Sequence, residues 1–367
     1  MSVLTFIYLI GGFILLVIGA EVLVRGAARL AARFGISPLI IGLTVVAFGT
    51  SAPEMAVSTQ SAFQGQGDIA IGNVIGSNIF NVLIVLGVSA LIIPLVVSRQ
   101  LVRFDVPIMI AAGLLAWFLA MDGSYSRLDG FILFACIVSY TGYLIVSSLK
   151  RWRPGQAVDI DEEYITQVNP HPYASLINAG YLVAGFVLLV VGSNLLVTGA
   201  VNLAEALGLS ELVIGLTIIA VGTSLPELAT SLVAAWRGER DIAVGNVVGS
   251  NLFNLLAVLG LAGLVSPEKI VVASTAIKFD FPVMLAVMVA CLPIFFAGYR
   301  VSRWEGALFL GYYLAYTAYL IMQSNGEAFA TTFAEAMIGY VVPLTAITLF
   351  VIAARAWRTQ RGLPTDQ

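Results

Sequence analysis

The 367-residue sequence has little charge and few residues that bind metals through nitrogen or sulphur. Only 11% of its residues are charged, whereas soluble domains have about 25%. The 18 basic and 21 acidic residues give a formal net charge of -3, which excludes the basic surface of a nucleic-acid-binding protein. One histidine, His171, and two cysteines, Cys136 and Cys291, are too few for a structural zinc site or a disulfide framework.

Apolar residues are abundant and occur in stretches long enough to cross a membrane. They make up 59% of the chain, and the mean hydropathy is +0.97. A spanning helix needs roughly 20 such residues, and the first stretch lacks the charged start of a signal peptide. Eleven stretches qualify, near residues 4–24, 38–63, 69–97, 104–121, 128–149, 174–204, 211–236, 242–266, 279–299, 304–323 and 335–356. The sequence therefore predicts an all-α integral membrane protein with 11 spans.

Basic residues are distributed unequally between the two sides of these spans. The loops after spans 1, 3, 5, 7 and 9 and the tail after span 11 contain 15 Lys and Arg, whereas the other side contains only Arg127, Lys269 and Lys278. Cytoplasmic loops are enriched in basic residues. We therefore predict a multi-pass protein with its N-terminus outside and its C-terminus in the cytoplasm.

The chain contains an internal repeat with an offset of 173 residues. Residues 39–58, LIIGLTVVAFGTSAPEMAVS, match residues 212–231, LVIGLTIIAVGTSLPELATS, at 13 of 20 positions. Residues 68–87, DIAIGNVIGSNIFNVLIVLG, match residues 241–260, DIAVGNVVGSNLFNLLAVLG, at 15 of 20. Such long matches at one offset indicate a duplicated unit.

The repeat divides the chain into two copies of five spans. We predict a first copy at 1–149, a cytoplasmic linker at 150–173, a second copy at 174–323, and an extra helix with a tail at 324–367. Because five is odd, the second copy must enter the membrane from the opposite side. Inverted repeats are a transporter architecture, with the binding site near the midplane between the copies.

Spans 2 and 7 each contain a Gly-Thr-Ser-x-Pro-Glu motif. Proline within a helix removes a backbone donor and displaces the carbonyl four residues earlier, so carbonyls at 47–50 and 220–223 can become oxygen ligands. One turn later lies a glutamate, Glu54 or Glu227, and an ionised side chain near the bilayer centre costs about 2.5–3.5 kcal/mol. No Lys or Arg within a span lies near either one. Two carboxylates with hydroxyls and carbonyls suit Ca²⁺; a protonated glutamate that stabilises a kink is the alternative.

Spans 3 and 8 contain Gly-Asn-Val-x-Gly-Ser-Asn-x-Phe-Asn. Asn73, Ser77 and Asn81 recur every four residues, so they share one side of span 3, which we expect to face span 2. The alternative is a GxxxG packing seam in which the asparagines connect helices. In span 1, Glu21 corresponds to Asn194 of the second copy, and a role for Glu21 in lining an access path stays open.

With these paired motifs, the chain resembles the cation/calcium exchanger superfamily and, within it, the prokaryotic-type sodium/calcium exchangers. The resemblance extends from span 1 to span 10. It implies a ten-helix core in which spans 2, 3, 7 and 8 surround four cation positions, while spans 1 and 6 slide across them. It also implies a cell inner membrane location. The eleventh span departs from this core.

The resemblance also implies ligands for Ca²⁺ and Na⁺. Glu54 and Glu227, with the carbonyls of Thr50 and Thr223, would bind Ca²⁺. One flanking Na⁺ site would be formed by Ala47, Ser51 and Ser77, and the other by Ala220, Ser224 and Ser250, with Asn81 and Asn254 at the centre. Several relatives have Asp at these central positions, so Asn at both argues against coupling to K⁺.

We therefore expect a secondary transporter, not an enzyme, that exchanges Na⁺ for Ca²⁺ electrogenically by alternating access. Its partners would be the two ions and the lipid bilayer, with no cofactor; protein partners are not indicated. A proton-coupled exchanger for Ca²⁺ or another divalent cation is the first alternative. An intramembrane hydrolase is disfavoured because no span contains histidine, and a passive channel because broken helices in inverted repeats suit alternating access.

Overall fold

The computed structural model describes residues 3–34, 36–151, 174–206, 220–324, 329 and 335–361. Most of these residues are helical. The α-helices are α1 Val3–Phe34, α2 Pro38–Ile41, α3 Ala47–Thr50, α4 Ala52–Phe63, α5 Gly67–Phe80, α6 Gly87–Ile92, α7 Val106–Ala120, α8 Arg127–Arg151, α9 Ala174–Ala206, α10 Ala220–Thr223, α11 Leu225–Trp236, α12 Arg240–Leu252, α13 Leu259–Val265, α14 Phe281–Phe296, α15 Arg303–Ser324 and α16 Val342–Arg361.

Short π-helical segments extend several of these helices, and four two-residue strands lie between others. The π segments are π1 Gly42–Val46, π2 Asn81–Leu86, π3 Leu101–Asp105, π4 Phe253–Val258, π5 Ala276–Asp280 and π6 Met337–Val341. The strands are β1 Leu95–Val96, β2 Ser124–Tyr125, β3 Ile270–Val271 and β4 Arg300–Val301. The all-α prediction missed these strands, because two-residue pairs lack a period that a sequence can display.

Seven helices in the described ranges are long and apolar enough to cross a membrane, and one bent helix pair would make eight. The seven are Leu4–Leu30, Gly67–Ile92, Leu101–Ala120, Arg127–Ser148, Leu176–Gly199, Arg240–Val265 and Ala276–Phe296. The predicted span at 211–236 begins outside the described residues. The spans predicted near 304–323 and 335–356 coincide with α15 and with π6 and α16. The chain therefore has several membrane-spanning helices, and the number 11 stays a prediction.

The second predicted span is broken at Ser51. Its halves, Pro38–Thr50 and Ala52–Phe63, meet at 47°, and Ser51 has φ -80° and ψ 5°. Ser224 has similar angles, -92° and 9°, between α10 and α11. A proline follows each break at the start of the next helix, where its fixed φ is favourable. The Gly-Thr-Ser-x-Pro-Glu motif thus ends one helix and begins another.

Helices α1 and α9 pack closely and run antiparallel. A Cβ added at Gly199, near the end of α9, would lie 2.9 Å from Leu9 Cγ near the start of α1. A Cβ added at Gly26, late in α1, would lie 3.0 Å from Tyr181 Cβ, early in α9. Glycines permit this short distance between helix backbones in a membrane.

The loops between helices pair at two places. Strand β1 is antiparallel to β4, with Leu95 opposite Val301, and β2 is antiparallel to β3, with Tyr125 opposite Ile270. Each sheet therefore joins a loop from residues 1–149 to a loop from residues 174–323. In the predicted topology, the first sheet is cytoplasmic and the second is external.

Close packing also joins π1 to α12. A Cβ added at Gly249 would lie 2.7 Å from Leu43 O, 2.7 Å from Ala47 Cβ and 2.8 Å from Leu43 Cα. Since two of these neighbours are backbone atoms, the contact has little freedom to relax. The first half of the broken span is thus packed tightly against the helix that contains Asn246 and Ser250.

An ion pair connects α1 to the end of α11. Arg237 Nε donates to Glu21 Oε2 at 2.9 Å, and its Nη2 donates to Glu21 Oε1 at 2.5 Å. Arg25, one turn along α1, also pairs with Glu21. The contact places Glu21, in the C-terminal half of α1, beside Arg237 at the end of α11.

Candidate cation-binding site

Glu54 and Glu227 lie in the first turns of α4 and α11, immediately after the helix breaks. Both side chains have an exposure of 0%. At a helix N-terminus, unpaired backbone N–H groups and the helix dipole stabilise a negative charge. Neither Glu54 nor Glu227 takes part in an ion pair with a Lys or Arg of the described residues.

Each glutamate is bonded to the serine of the other motif. Ser51 donates to Glu227 Oε1 at 3.1 Å, and Ser224 donates to Glu54 Oε1 at 2.8 Å. Ser77 Oγ lies 3.0 Å from Ser224 Oγ and 3.5 Å from Glu54 Oε1. The two motifs therefore form a single crossed arrangement, with the carboxylate from one copy and the adjacent hydroxyl from the other.

This crossing corrects the expected grouping of the flanking hydroxyls. The resemblance implied Ser77 beside Ser51, and Ser250 beside Ser224. In the structure Ser77 contacts Ser224, and Ser250 Oγ lies 3.4 Å from Thr50 Oγ1. The reason is that α5 packs beside α10 and α12 packs beside α3, so that each hydroxyl faces the broken span of the opposite copy.

Two asparagines join the motifs in the same crossed manner. Thr50 Oγ1 donates to Asn246 Oδ1 at 3.1 Å, and Thr223 Oγ1 donates to Asn73 Oδ1 at 3.3 Å. We expected Asn73, Ser77 and Asn81 to face the broken span. This is confirmed for Asn73, which donates to the backbone carbonyl of Glu54, and for Ser77, whose Oγ lies 3.5 Å from Glu54 Oε1.

Several buried polar atoms in the site have no hydrogen-bond partner among the described residues. They are Oε2 of Glu54, Oε2 of Glu227, and the side-chain oxygens and nitrogens of Asn81 and Asn254. Both asparagines have an exposure of 0%. Asn81 begins π2, which packs against α11, and Asn254 lies in π4, which packs against α4. Because a buried polar atom without a partner costs about 1–3 kcal/mol, four such oxygens on these packed elements fit a site that receives a cation.

The expected backbone ligands are only partly available. Ala47 lies at the start of α3, and its carbonyl accepts the N–H of Ser51 at 3.0 Å. The carbonyl of Gly222, displaced by the proline, accepts the hydroxyl of Ser193 at 2.6 Å. Ala220 begins α10, close to the boundary of the described residues. A bonded carbonyl retains a second lone pair, so these oxygens can still contact an ion.

Two residues of α9 contact the motifs, and neither was expected from the sequence. The Ser193 hydroxyl donates to the Gly222 carbonyl. The ring of Phe186 lies against Gly49, so that a Cβ added at Gly49 would be only 1.7 Å from the ring. Their counterparts at the 173-residue offset are Ala20 and Phe13, and Phe13 is exposed. The copies therefore use α1 and α9 differently, which a search for matched residues does not reveal.

The donor set determines which chemistry the site supports. It consists of two carboxylates, hydroxyls, amides and carbonyls, and the described residues contain no group of three or more His, Cys, Asp or Glu that would hold a metal. Oxygen-only ligands suit Na⁺ and Ca²⁺ rather than transition metals. The described site also contains no histidine or cysteine for nucleophilic or acid–base catalysis.

Comparison with known proteins gives one consistent result. The family described as "Sodium/calcium exchanger protein" matches residues 4–147 and 177–322. The chain is 38% identical to the inner membrane protein YrbG of Escherichia coli K12 over 317 residues, covering 85% of this chain and 95% of YrbG. It is 32% identical to the sodium/calcium exchanger MaX1 of Methanosarcina acetivorans over 350 residues, covering 87% and 99%. The solved structure of the sodium-calcium exchanger NCX_Mj matches with a TM-score of 0.73 and 31% identity, covering 87% of this chain and 99% of NCX_Mj.

Proposed function

The chain belongs to the sodium/calcium exchanger protein family, in its prokaryotic type, and on this premise we propose that it exchanges Na⁺ for Ca²⁺ across the membrane. The observation that carries the proposal is the pair of crossed glutamates. Each has one carboxylate oxygen bonded to a serine of the other copy and one buried oxygen that no described residue bonds. Two anionic groups in this environment need a compensating cation.

The proposed ligands are those expected from the sequence, now grouped across the copies. Glu54 Oε2 and Glu227 Oε2 would bind Ca²⁺, or a Na⁺ ion in its place. Neutral oxygens would complete the ion positions: those of Ala47, Thr50, Ser51, Ser77, Asn81, Ala220, Thr223, Ser224, Ser250 and Asn254. The ions are cargo, and we propose no resident cofactor.

We further propose that the chain consists of two inverted five-helix copies, residues 1–149 and 174–323, with a cytoplasmic linker at 150–173 and an extra helix and tail at 324–367. Support comes from the antiparallel α1 and α9 and from matched contacts in the two copies. Thus Asp105 accepts from Tyr140 at 2.9 Å, and Asp280 accepts from Tyr316 at 3.1 Å.

Alternating access is part of the same proposal. Helices α1 and α9 pack mainly on each other, and α9 contacts both broken spans through Phe186 and Ser193. A shift of this helix pair would therefore change which side of the site is covered. The proposed location is the inner membrane, the membrane for which the E. coli relative is described. The N-terminus would lie outside and the C-terminus in the cytoplasm, which the distribution of basic residues supports.

The test is uptake of ⁴⁵Ca²⁺ into proteoliposomes, with Na⁺ and H⁺ gradients imposed separately. We expect an outward Na⁺ gradient to drive uptake in the wild type and no uptake in Glu54→Gln or Glu227→Gln. Asp105→Asn is the matched control, because Asp105 is a buried intramembrane carboxylate bonded to Tyr140 and Gln100, away from the site; this variant should retain exchange.

Each alternative function has its own result in this assay. Uptake that follows the H⁺ gradient and ignores Na⁺ would replace the proposal with a proton-coupled exchanger. A channel would not show counterflow, in which external Ca²⁺ accelerates the loss of internal ⁴⁵Ca²⁺. Normal exchange by either glutamine variant would remove that glutamate from the site.

A further inference from the structure

Asn73 and Asn246 make the same three contacts in the two copies. The amide nitrogen of Asn73 donates to Ser58 Oγ at 2.9 Å and to the carbonyl of Glu54 at 3.4 Å. The amide nitrogen of Asn246 donates to Ser231 Oγ at 2.9 Å and to the carbonyl of Glu227 at 3.4 Å. Each asparagine therefore holds the helical turn that contains the glutamate of its own copy.

These contacts determine the orientation of both amides. A backbone carbonyl can only accept a hydrogen bond, so the NH₂ group must face Glu54 or Glu227. The amide oxygen then faces the other copy, 3.3 Å from Thr223 Oγ1 for Asn73 and 3.1 Å from Thr50 Oγ1 for Asn246.

The amide oxygen in turn determines the direction of the threonine hydroxyl. Thr50 Oγ1 lies 3.1 Å from Asn246 Oδ1, 3.4 Å from Ala47 O and 3.4 Å from Ser250 Oγ. Its hydroxyl is also within hydrogen-bonding reach of the Glu227 carboxylate, an acceptor that a cation bound to Glu227 would occupy. A hydroxyl has one hydrogen and two lone pairs. When the hydrogen points to Asn246, the lone pairs of Thr50 remain available on the side of Ala47 and Ser250.

We propose that Asn73 and Asn246 are positioning residues for the cation site, which hold the threonine of the opposite copy with its oxygen lone pairs toward the ion. The proposal rests on the proposed function. Ca²⁺ binds mainly through carboxylates, and the substitution leaves these and the threonine carbonyls in place. The Thr50 hydroxyl instead lies beside Ala47 O and Ser250 Oγ, neutral oxygens proposed for a flanking Na⁺ position, so loss of either asparagine raises the Na⁺ requirement more than the Ca²⁺ requirement.

The experiment compares Asn246→Ser with Asn251→Ser in proteoliposomes. Both asparagines have an exposure of 0% on α12, but the Asn251 amide nitrogen contacts Met109 Sδ, away from the glutamates. We expect Asn246→Ser to raise the Na⁺ concentration for half-maximal Ca²⁺ exchange by about 2- to 12-fold, the effect of one lost neutral hydrogen bond. The half-saturating Ca²⁺ concentration in Na⁺-free Ca²⁺–Ca²⁺ exchange should rise less, and Asn251→Ser should change neither value.

A double-mutant cycle separates positioning from general packing. If Asn246 acts through the Thr50 hydroxyl, Thr50→Val combined with Asn246→Ser should need no more Na⁺ than Thr50→Val alone. Additive effects, or an equal rise in the Na⁺ and Ca²⁺ requirements, would overturn the inference. If Asn246→Ser does not fold, Asn73→Ser with Thr223→Val gives the same comparison in the other copy. Failure of the proposed function is recognised separately, because the wild type would then show no Na⁺-driven uptake.

Discussion

A membrane potential should change the equilibrium accumulation of Ca²⁺, because the site contains only two fixed charges. Glu54 and Glu227 are its carboxylates, and the other proposed ligands are neutral. One Ca²⁺ makes the loaded site neutral, and so do two Na⁺. A third Na⁺ needs further oxygens. The buried amide oxygens of Asn81 and Asn254, which have no partner in the part of the chain that the structure describes, can supply them.

Three Na⁺ exchanged for one Ca²⁺ move one net positive charge per cycle. One charge crossing 100 mV corresponds to about 2.3 kcal/mol. At 1.4 kcal/mol per factor of ten, the equilibrium ratio of internal to external Ca²⁺ changes by roughly fifty-fold. In Na⁺-loaded vesicles the positive charge leaves with Na⁺, so an inside-positive potential raises the accumulation of Ca²⁺ and an inside-negative potential lowers it.

The assay uses proteoliposomes clamped with valinomycin and K⁺, in which Na⁺-driven ⁴⁵Ca²⁺ uptake is followed to equilibrium. Vesicles with the same K⁺ concentrations but no valinomycin control for a direct effect of K⁺. Equal accumulation at inside-positive and inside-negative potentials would show a neutral exchange of two Na⁺ for one Ca²⁺. The third Na⁺ position would then be unused, and the central asparagines would need another explanation.

Four other predictions follow from the packing, the charges and the distribution of basic residues. Gly249→Ala should destabilise the protein by about 1–3 kcal/mol, as overpacking does, and lower its melting temperature in detergent; Gly142→Ala, where an added Cβ has no described neighbour within 4 Å, is the control, and equal melting would refute the close contact. Glu21→Gln and Arg237→Gln should each cost up to about 1 kcal/mol, and the double variant should melt like the single variants; fully additive losses would mean that the pair contributes nothing. A cysteine in place of Val158, in a background without the native cysteines, should react with impermeant thiol reagents only from the cytoplasm, and labelling from outside would reverse the topology. Exchange should continue in K⁺-free medium, because Asn81 and Asn254 add no negative charge to balance another monovalent cation. If exchange stopped in K⁺-free medium, this interpretation of the two central asparagines would be wrong.

Much of the architecture follows from local sequence patterns. Apolar stretches of about 20 residues predict membrane helices because the bilayer core has a fixed thickness. A proline inside an apolar run predicts a disturbed helix with displaced carbonyls, and the structure has a helix break two residues before each proline, at Ser51 and Ser224. These predictions succeed because each depends on residues within one or two turns of each other.

The number of spans was harder to predict. α15 is rich in tyrosine, with Tyr312, Tyr313 and Tyr316 partly buried against the core, and it is not among the seven long apolar helices. Its Tyr312 hydroxyl bonds Thr345 of α16 at 2.6 Å. A helix that is covered partly by another helix needs less apolar surface, so composition alone does not establish whether it crosses the membrane.

By itself, the sequence determined that this is a membrane protein with a duplicated unit and two intramembrane glutamates, and it identified the residue types around them. Only the tertiary structure decided which hydroxyl accompanies which carboxylate. Ser51 binds Glu227 and Ser224 binds Glu54, although each serine lies only three residues from the glutamate of its own motif. The physical reason is that these partners are brought together by antiparallel packing of helices more than 150 residues apart, and a one-dimensional repeat shows that two motifs are equivalent without showing how they face each other.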